Sequence, residues 1–95
     1  MNKEVGRRFS KARKSTGMTQ KELAAELRTE QTIVSRTETG LLRVSEEMTK
    51  WAFNKGIDLN WLFMGQGVMF RDEKAELKKE LTEAVNLINQ AIKQL

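Results

Sequence analysis

The sequence predicts an all-α protein: five short helices in one domain, followed by one long amphipathic helix. Three observations predict it. None of the 95 residues is proline, so nothing forbids helix. Apolar residues recur at spacings of three and four. Cap residues (Thr19, Ser45, Asp58) and glycines (Gly17, Gly40, Gly56, Gly65) alternate at intervals that suit short helices.

The first helix is expected over about 3–15. Val5, Phe9 and Ala12 share one face there, and Gly17 stops it. The second begins at "TQKE", a capping box in which Thr19 and Glu22 each bond the other's backbone amide. Leu23, Ala24 and Leu27 form its inner face. Being only about two turns long, it depends on packing more than on propensity. The third spans about 30–39, with Val34 inward and Ile33 and Thr37 beside it; Gly40 closes it. Leu41, Leu42 and Val44 cross to the fourth, which Ser45 caps. Glu46 and Glu47 occupy its first turn, where the helix dipole favours acids. Met48, Trp51 and Ala52 form its apolar stripe, and Gly56 ends it. The fifth is capped by Asp58, draws core from Leu59, Trp61, Leu62 and Phe63, and stops at Gly65. "GQGVMF" then reads as an extended or turning connection.

The last segment is expected to be helical over about 72–95. Leu81, Val85, Ile88, Ile92 and Leu95 recur at 4-3-4-3, a coiled-coil seam. Leu77, Ala84 and Ala91 widen it on one side. Composition shifts once, near 65–70, so the chain divides into a domain at 1–70 and an oligomerisation helix at 71–95.

Composition narrows the chemistry. There are no cysteines and no histidines, which removes disulfides, thiolate nucleophiles, imidazole bases and the usual zinc ligands. An enzyme is not expected, nor a metal, cofactor or small-molecule ligand. No apolar run approaches the roughly 18 residues of a membrane span, and "MNKEVGRRFSKARK" is too charged for a signal peptide. A cytoplasmic protein is the expectation. Net charge is +4 and unevenly placed. Residues 1–21 carry seven basic groups and one acid, so +6; residues 22–70 carry −2; residues 71–95 are neutral. A basic patch of this kind suits a polyanion, through counterion release. A merely solvated basic helix is the alternative.

The stretch "MTQKELAAELRTEQTIVSRTETG" (18–40) resembles the helix-turn-helix of the Cro and phage-repressor, or lambda-repressor-like, family. The matching elements are Met18-Thr19-Gln20, Glu22-Leu23-Ala24, Val34-Ser35-Arg36 and Glu38-Thr39-Gly40. Upstream, "GRRFSKARKSTG" is similar to the family's first helix; downstream, "GIDLNWLFMGQGVMF" resembles its fifth helix and exit. The likeness covers about 4–70. It implies a five-helix DNA-binding domain acting as a transcriptional repressor on a palindromic operator.

Under the pattern lies simple geometry. Ala24 suits a close helix crossing, and Val34, ten residues on, is its apolar counterpart. A turn of about three residues sets the two helices at a steep angle. The second can then enter a major groove about 12 Å wide. Gln31, Thr32, Ser35 and Arg36 are the expected base-reading residues. Gln31 can pair bidentately with adenine and Arg36 with guanine. Glu30 is expected to serve the helix dipole, and an ion pair of Arg36 with Glu38 or Glu22 is the alternative to a DNA contact. Thr19, Gln20, Lys21, Arg28 and Arg43 are the expected phosphate contacts. The resemblance places Gln20 where it would also brace Gln31. The Arg7–Lys14 cluster divides evenly between phosphate contact and solubilisation.

Three residues depart from the family pattern: Arg28 where glycine is preferred, Thr37 where an apolar residue is usual, and Lys55 where a leucine is often buried. Arg28 leaves two geometries open, a left-handed residue or a differently shaped turn. The seam Leu77, Leu81, Val85, Ile88, Ile92, Leu95 predicts a homodimer, or a tetramer given its width. Folding back on the domain, or pairing with a foreign protein as in an antitoxin or anti-repressor, are the alternatives.

Overall fold

The computed structural model describes residues 2–71 and 73–93, side chains of 73–80 excepted. Among them the helices are α1 (Asn2–Ser15), α2 (Gln20–Glu26), α3 (Gln31–Glu38), α4 (Glu46–Asn54), α5 (Leu59–Met64) and α6 (Glu73–Lys93). Among the described residues the regular structure is all helical, apart from one isolated bridge between Ile57 and Phe70. No described helix is long and apolar enough to cross a membrane. α3 is shorter than the spacing suggested because Glu30 and Thr39 are its caps rather than its first and last turns.

Phe9, Ala12, Leu23, Ala24, Val34, Met48, Trp51, Ala52, Ile57 and Leu62 form the core. Phe9 meets Trp51 edge-on at 5.7 Å between ring centres, a geometry favoured by the ring quadrupoles. Phe63 corrects the expectation that it supplies core, since it stays 38% exposed. α5 is only six residues long. One residue past buried Leu62, a turn of about 100° carries Phe63 off the packed face. Ile57 is fully buried although it lies in no helix. The segment after α5 bonds the backbone on either side of Ile57, where Asp58 N–H donates to Met69 C=O at 2.7 Å and Arg71 N–H to Gly56 C=O at 2.9 Å. The Arg71 guanidinium also lies 4.0 Å from the centre of the Phe53 ring.

The first four helices end in the same way. After each, a left-handed residue sends its N–H to the carbonyl three back, and the next residue bonds five back. This paired closure satisfies otherwise orphaned carbonyls. α1, α3 and α4 place Gly17, Gly40 and Gly56 there, while α2 places Arg28, at φ 54°. Arg28 N–H bonds Ala25 C=O at 3.2 Å and Thr29 N–H bonds Ala24 C=O at 2.9 Å. Of the two geometries left open at Arg28, the left-handed one is adopted.

The other departures also find local explanations. Thr37 is buried, and its hydroxyl donates to Ile33 C=O at 2.8 Å, so no polar group is stranded. Lys55 is exposed at the end of α4, with Nζ 4.0 Å from Glu26.

Candidate functional site

α2 starts on the expected capping box. Thr19 accepts from Glu22 N–H at 3.1 Å, and the Glu22 carboxylate accepts from Thr19 N–H at 3.0 Å. Those bonds hold the Glu22 carboxyl below its ordinary value. A turn through Leu27, Arg28, Thr29 and Glu30 leads to α3. Ala24 and Val34 are both buried, as the crossing geometry requires.

α3 has two contrasting sides. Val34 and Thr37 are buried and Ile33 is partly so. Gln31, Thr32 and Arg36 are exposed, and Ser35 is half-buried between the two sides. Glu30 sits at the N-cap, but its carboxylate makes no cap bond; it accepts from the Thr32 hydroxyl at 3.4 Å. Neither ion pair considered for Arg36 forms among the described residues. Glu38 is engaged by Arg13, and Glu22 by Thr19. Thr19, Lys21, Arg28 and Arg43 are exposed, Gln20 half-buried. Arg43 borders an open groove of about 530 Å³ lined also by Val5, Arg8, Val44 and Phe63.

Behind this surface lies a network that sequence reasoning missed. Arg13 pairs with Glu38 through two bonds, Nε to Oε2 at 2.6 Å and Nη2 to Oε1 at 3.0 Å. Its Nη1 reaches Met18 C=O at 2.7 Å, just ahead of α2. Gln20 Nε2 donates to Glu38 Oε1 at 3.0 Å, so its amide braces Glu38 and not Gln31. Burial pushes the Glu38 carboxyl up, but bonds from Arg13, Gln20 and Ser10 outweigh it, and the net shift is downward. The same bond raises Arg13 further above its ordinary value. Both side chains are under one-tenth exposed. No spacing in one helix announces this pair, because its members are 25 residues apart.

The N-terminal basic groups therefore separate. Arg13 is structural. Arg8 is also structural, its Nε donating to Leu62 C=O at 2.7 Å and its Nη2 to Phe63 C=O at 3.3 Å, at the end of α5. Lys3, Arg7, Lys11 and Lys14 remain exposed.

Along α6, Leu81, Val85, Ile88 and Ile92 are each more than half exposed. Leu87, beside them, is 67% exposed. The row is not packed on the helical core, so folding back is not what the described residues do. The Leu77 side chain and the whole of Leu95 lie outside the described residues.

Among the described residues no three His, Cys, Asp or Glu side chains gather as a metal site requires. Compared with protein-family models, with curated proteins and with solved structures, the chain matches none.

Proposed function

We propose that the chain is a sequence-specific, double-stranded-DNA-binding transcriptional regulator of the Cro/phage-repressor kind, a cytoplasmic repressor acting as a dimer on a palindromic operator. Residues 1–70 are read as a lambda-repressor-like helix-turn-helix domain and 71–95 as the oligomerisation helix. One observation carries this reading: α3 buries Val34 and Thr37 while leaving Gln31, Thr32 and Arg36 outward, directly after a capped α2 and a tight turn.

In this reading α3 enters the major groove. Gln31 pairs with adenine N6 and N7, Arg36 with guanine O6 and N7, and Thr32 and Ser35 supply short donors or a methyl contact. Thr19, Gln20, Lys21, Arg28 and Arg43 hold phosphates and set the register. The row Leu81–Ile92 pairs with a second copy, placing two α3 helices on half-sites about 34–36 Å apart, or a multiple of that.

Selection of bound sites from random DNA, repeated with Gln31→Ala, tests it. The expected result is a palindromic motif whose preference relaxes at one position per half-site, a loss of about 1–3 kcal/mol there. A wild-type chain that enriches no sequence overturns the reading. An unchanged motif with Gln31→Ala overturns the role of Gln31.

A second reading draws on the exposed Leu87, which makes the apolar face of α6 wider than a two-stranded seam uses. There α6 binds a helix of another protein, in the manner of an antitoxin or anti-repressor. Sedimentation separates the two: a dimer supports the first, a stable monomer the second.

A further inference from the structure

We propose that the exposed row Lys3, Arg7 and Lys14 of α1 is a second phosphate track, gripping the DNA backbone alongside the groove that α3 enters. This rests on the reading of α3 as the base-reading helix.

Positions 3, 7, 10 and 14 fall within about 60° of one another on a helix of 3.6 residues per turn. They form one row about 16 Å long. Its members are Lys3, Arg7, Ser10 and Lys14, with Lys11 flanking. All four cations are exposed, and none of them is in an ion pair among the described residues.

The pairing pattern of the other cations makes this row distinctive. Lys50 pairs with Glu46 at 3.3 Å and Lys55 with Glu26 at 4.0 Å. Arg8 and Arg13 are held inside the fold. Arg8 and Arg71 are held by backbone carbonyls; the exposed cations in no ion pair among the described residues are then the α1 row, the residues already read as DNA contacts, and Lys93 on α6.

The N-terminal part of the row is also locally unfavourable. Lys3 and Arg7, and Arg7 and Lys11, are like charges at i,i+4, each pair costing about 0.2–0.5 kcal/mol. Lys3 stands in the first turn of α1, where the helix dipole opposes a cation. Lys14, in the last turn, is favoured by the same dipole, so the cost falls on Lys3, Arg7 and Lys11, where an external polyanion would supply the missing charge.

The row is fixed to α3. A Cβ at Gly6 would overlap Thr37 C=O and stand 2.9 Å from Glu38 C=O, so α1 meets the end of α3 too closely for any side chain at that position. At Gly40 a Cβ would stand 2.5 Å from Lys3 Cα. The Ser10 hydroxyl bonds Glu38, whose charge Arg13 already balances. The row thus runs beside the end of α3, and no unpaired acid separates the two.

Two double variants of equal charge change test the track on the full chain. They are Arg7→Gln/Lys14→Gln and, as control, Lys50→Gln/Lys55→Gln. The probe is the duplex that the wild-type chain selects from random DNA. Neutralising two phosphate contacts should lower the slope of log affinity against log salt by about 2 and weaken binding roughly ten-fold, with the base preferences unchanged. The control should leave the slope as it was. An unchanged slope with Arg7→Gln/Lys14→Gln overturns the track while the wild-type motif leaves the α3 reading standing. An equal fall in both doubles assigns the effect to net charge and also overturns it. A wild-type chain that binds no duplex removes both readings together.

Discussion

Arg13 and Glu38 join α1 to the end of α3 by a two-bond ion pair, with Nε 2.6 Å from Oε2 and Nη2 3.0 Å from Oε1. The pair is nearly dry. Removing one partner strands the other's charge, so Arg13→Gln or Glu38→Gln should each lower stability by about 3–5 kcal/mol in urea denaturation. Replacing both by apolar residues, Arg13→Met with Glu38→Leu, should cost markedly less than the sum of the two. A double as unstable as the summed singles would show that the pair is not acting as a unit.

Glu38 also sets a pH dependence. Its carboxyl is held below the ordinary 4.5, so the folded chain binds its proton less readily than the unfolded chain. The stabilisation is then complete above the unfolded value and is lost as pH falls through the lowered folded value. Thermal melting between pH 6 and pH 3 should show a decline on the acid side that Glu38→Gln reduces, with Glu22, whose carboxyl is also held low, contributing to the remainder.

At the turn before α3, Arg28→Gly should raise stability. A left-handed non-glycine residue costs roughly 1–2 kcal/mol, and glycine's extra unfolded-state entropy returns part of that, leaving a gain of about 1 kcal/mol. The melting temperature measures it directly. A fall would mean that the Arg28 side chain contributes more than its backbone costs.

Gly6→Ala should act the other way. The added methyl meets backbone carbonyls of Thr37 and Glu38, which cannot rotate aside. Overpacking of this sort costs about 1–3 kcal/mol or more. Adding a Cβ at Gly17 meets nothing within 4 Å, so Gly17→Ala should show only the milder left-handed strain. Equal losses at the two sites would contradict the close approach of α1 to α3.

For α6, Val85→Asp/Ile88→Asp should abolish self-association in sedimentation and reduce the helix signal in circular dichroism, since an isolated apolar-striped helix is marginal in water. An unchanged sedimentation coefficient would remove the seam from the assembly.

Much of the fold was legible because it is local. The capping box at Thr19 and Glu22, the caps Ser45 and Asp58, and the stripe Met48, Trp51, Ala52 all act within one or two turns. The outward residues of α3 followed in the same way from the inward position of Val34. Other features depend on segments far apart in the chain. Arg13 reads as one more surface cation until Glu38 folds against it, and Arg8 until it reaches the end of α5. Ile57 has no helical period to reveal it; its place is fixed by an isolated bridge to Phe70, far along the chain. Phe63 looked like core because aromatic residues usually are, but a six-residue helix has room for one buried face.

The two sides of α3 answer to different neighbours. Its inward side is locked by Gly6, by the Thr37 hydroxyl and by the Arg13–Glu38 pair. Its outward side, at Gln31, Thr32 and Arg36, touches little of the chain's own structure. Substitutions there are nearly free of folding consequences, so descendants of this chain can diversify that face rapidly while the scaffold beneath stays constant.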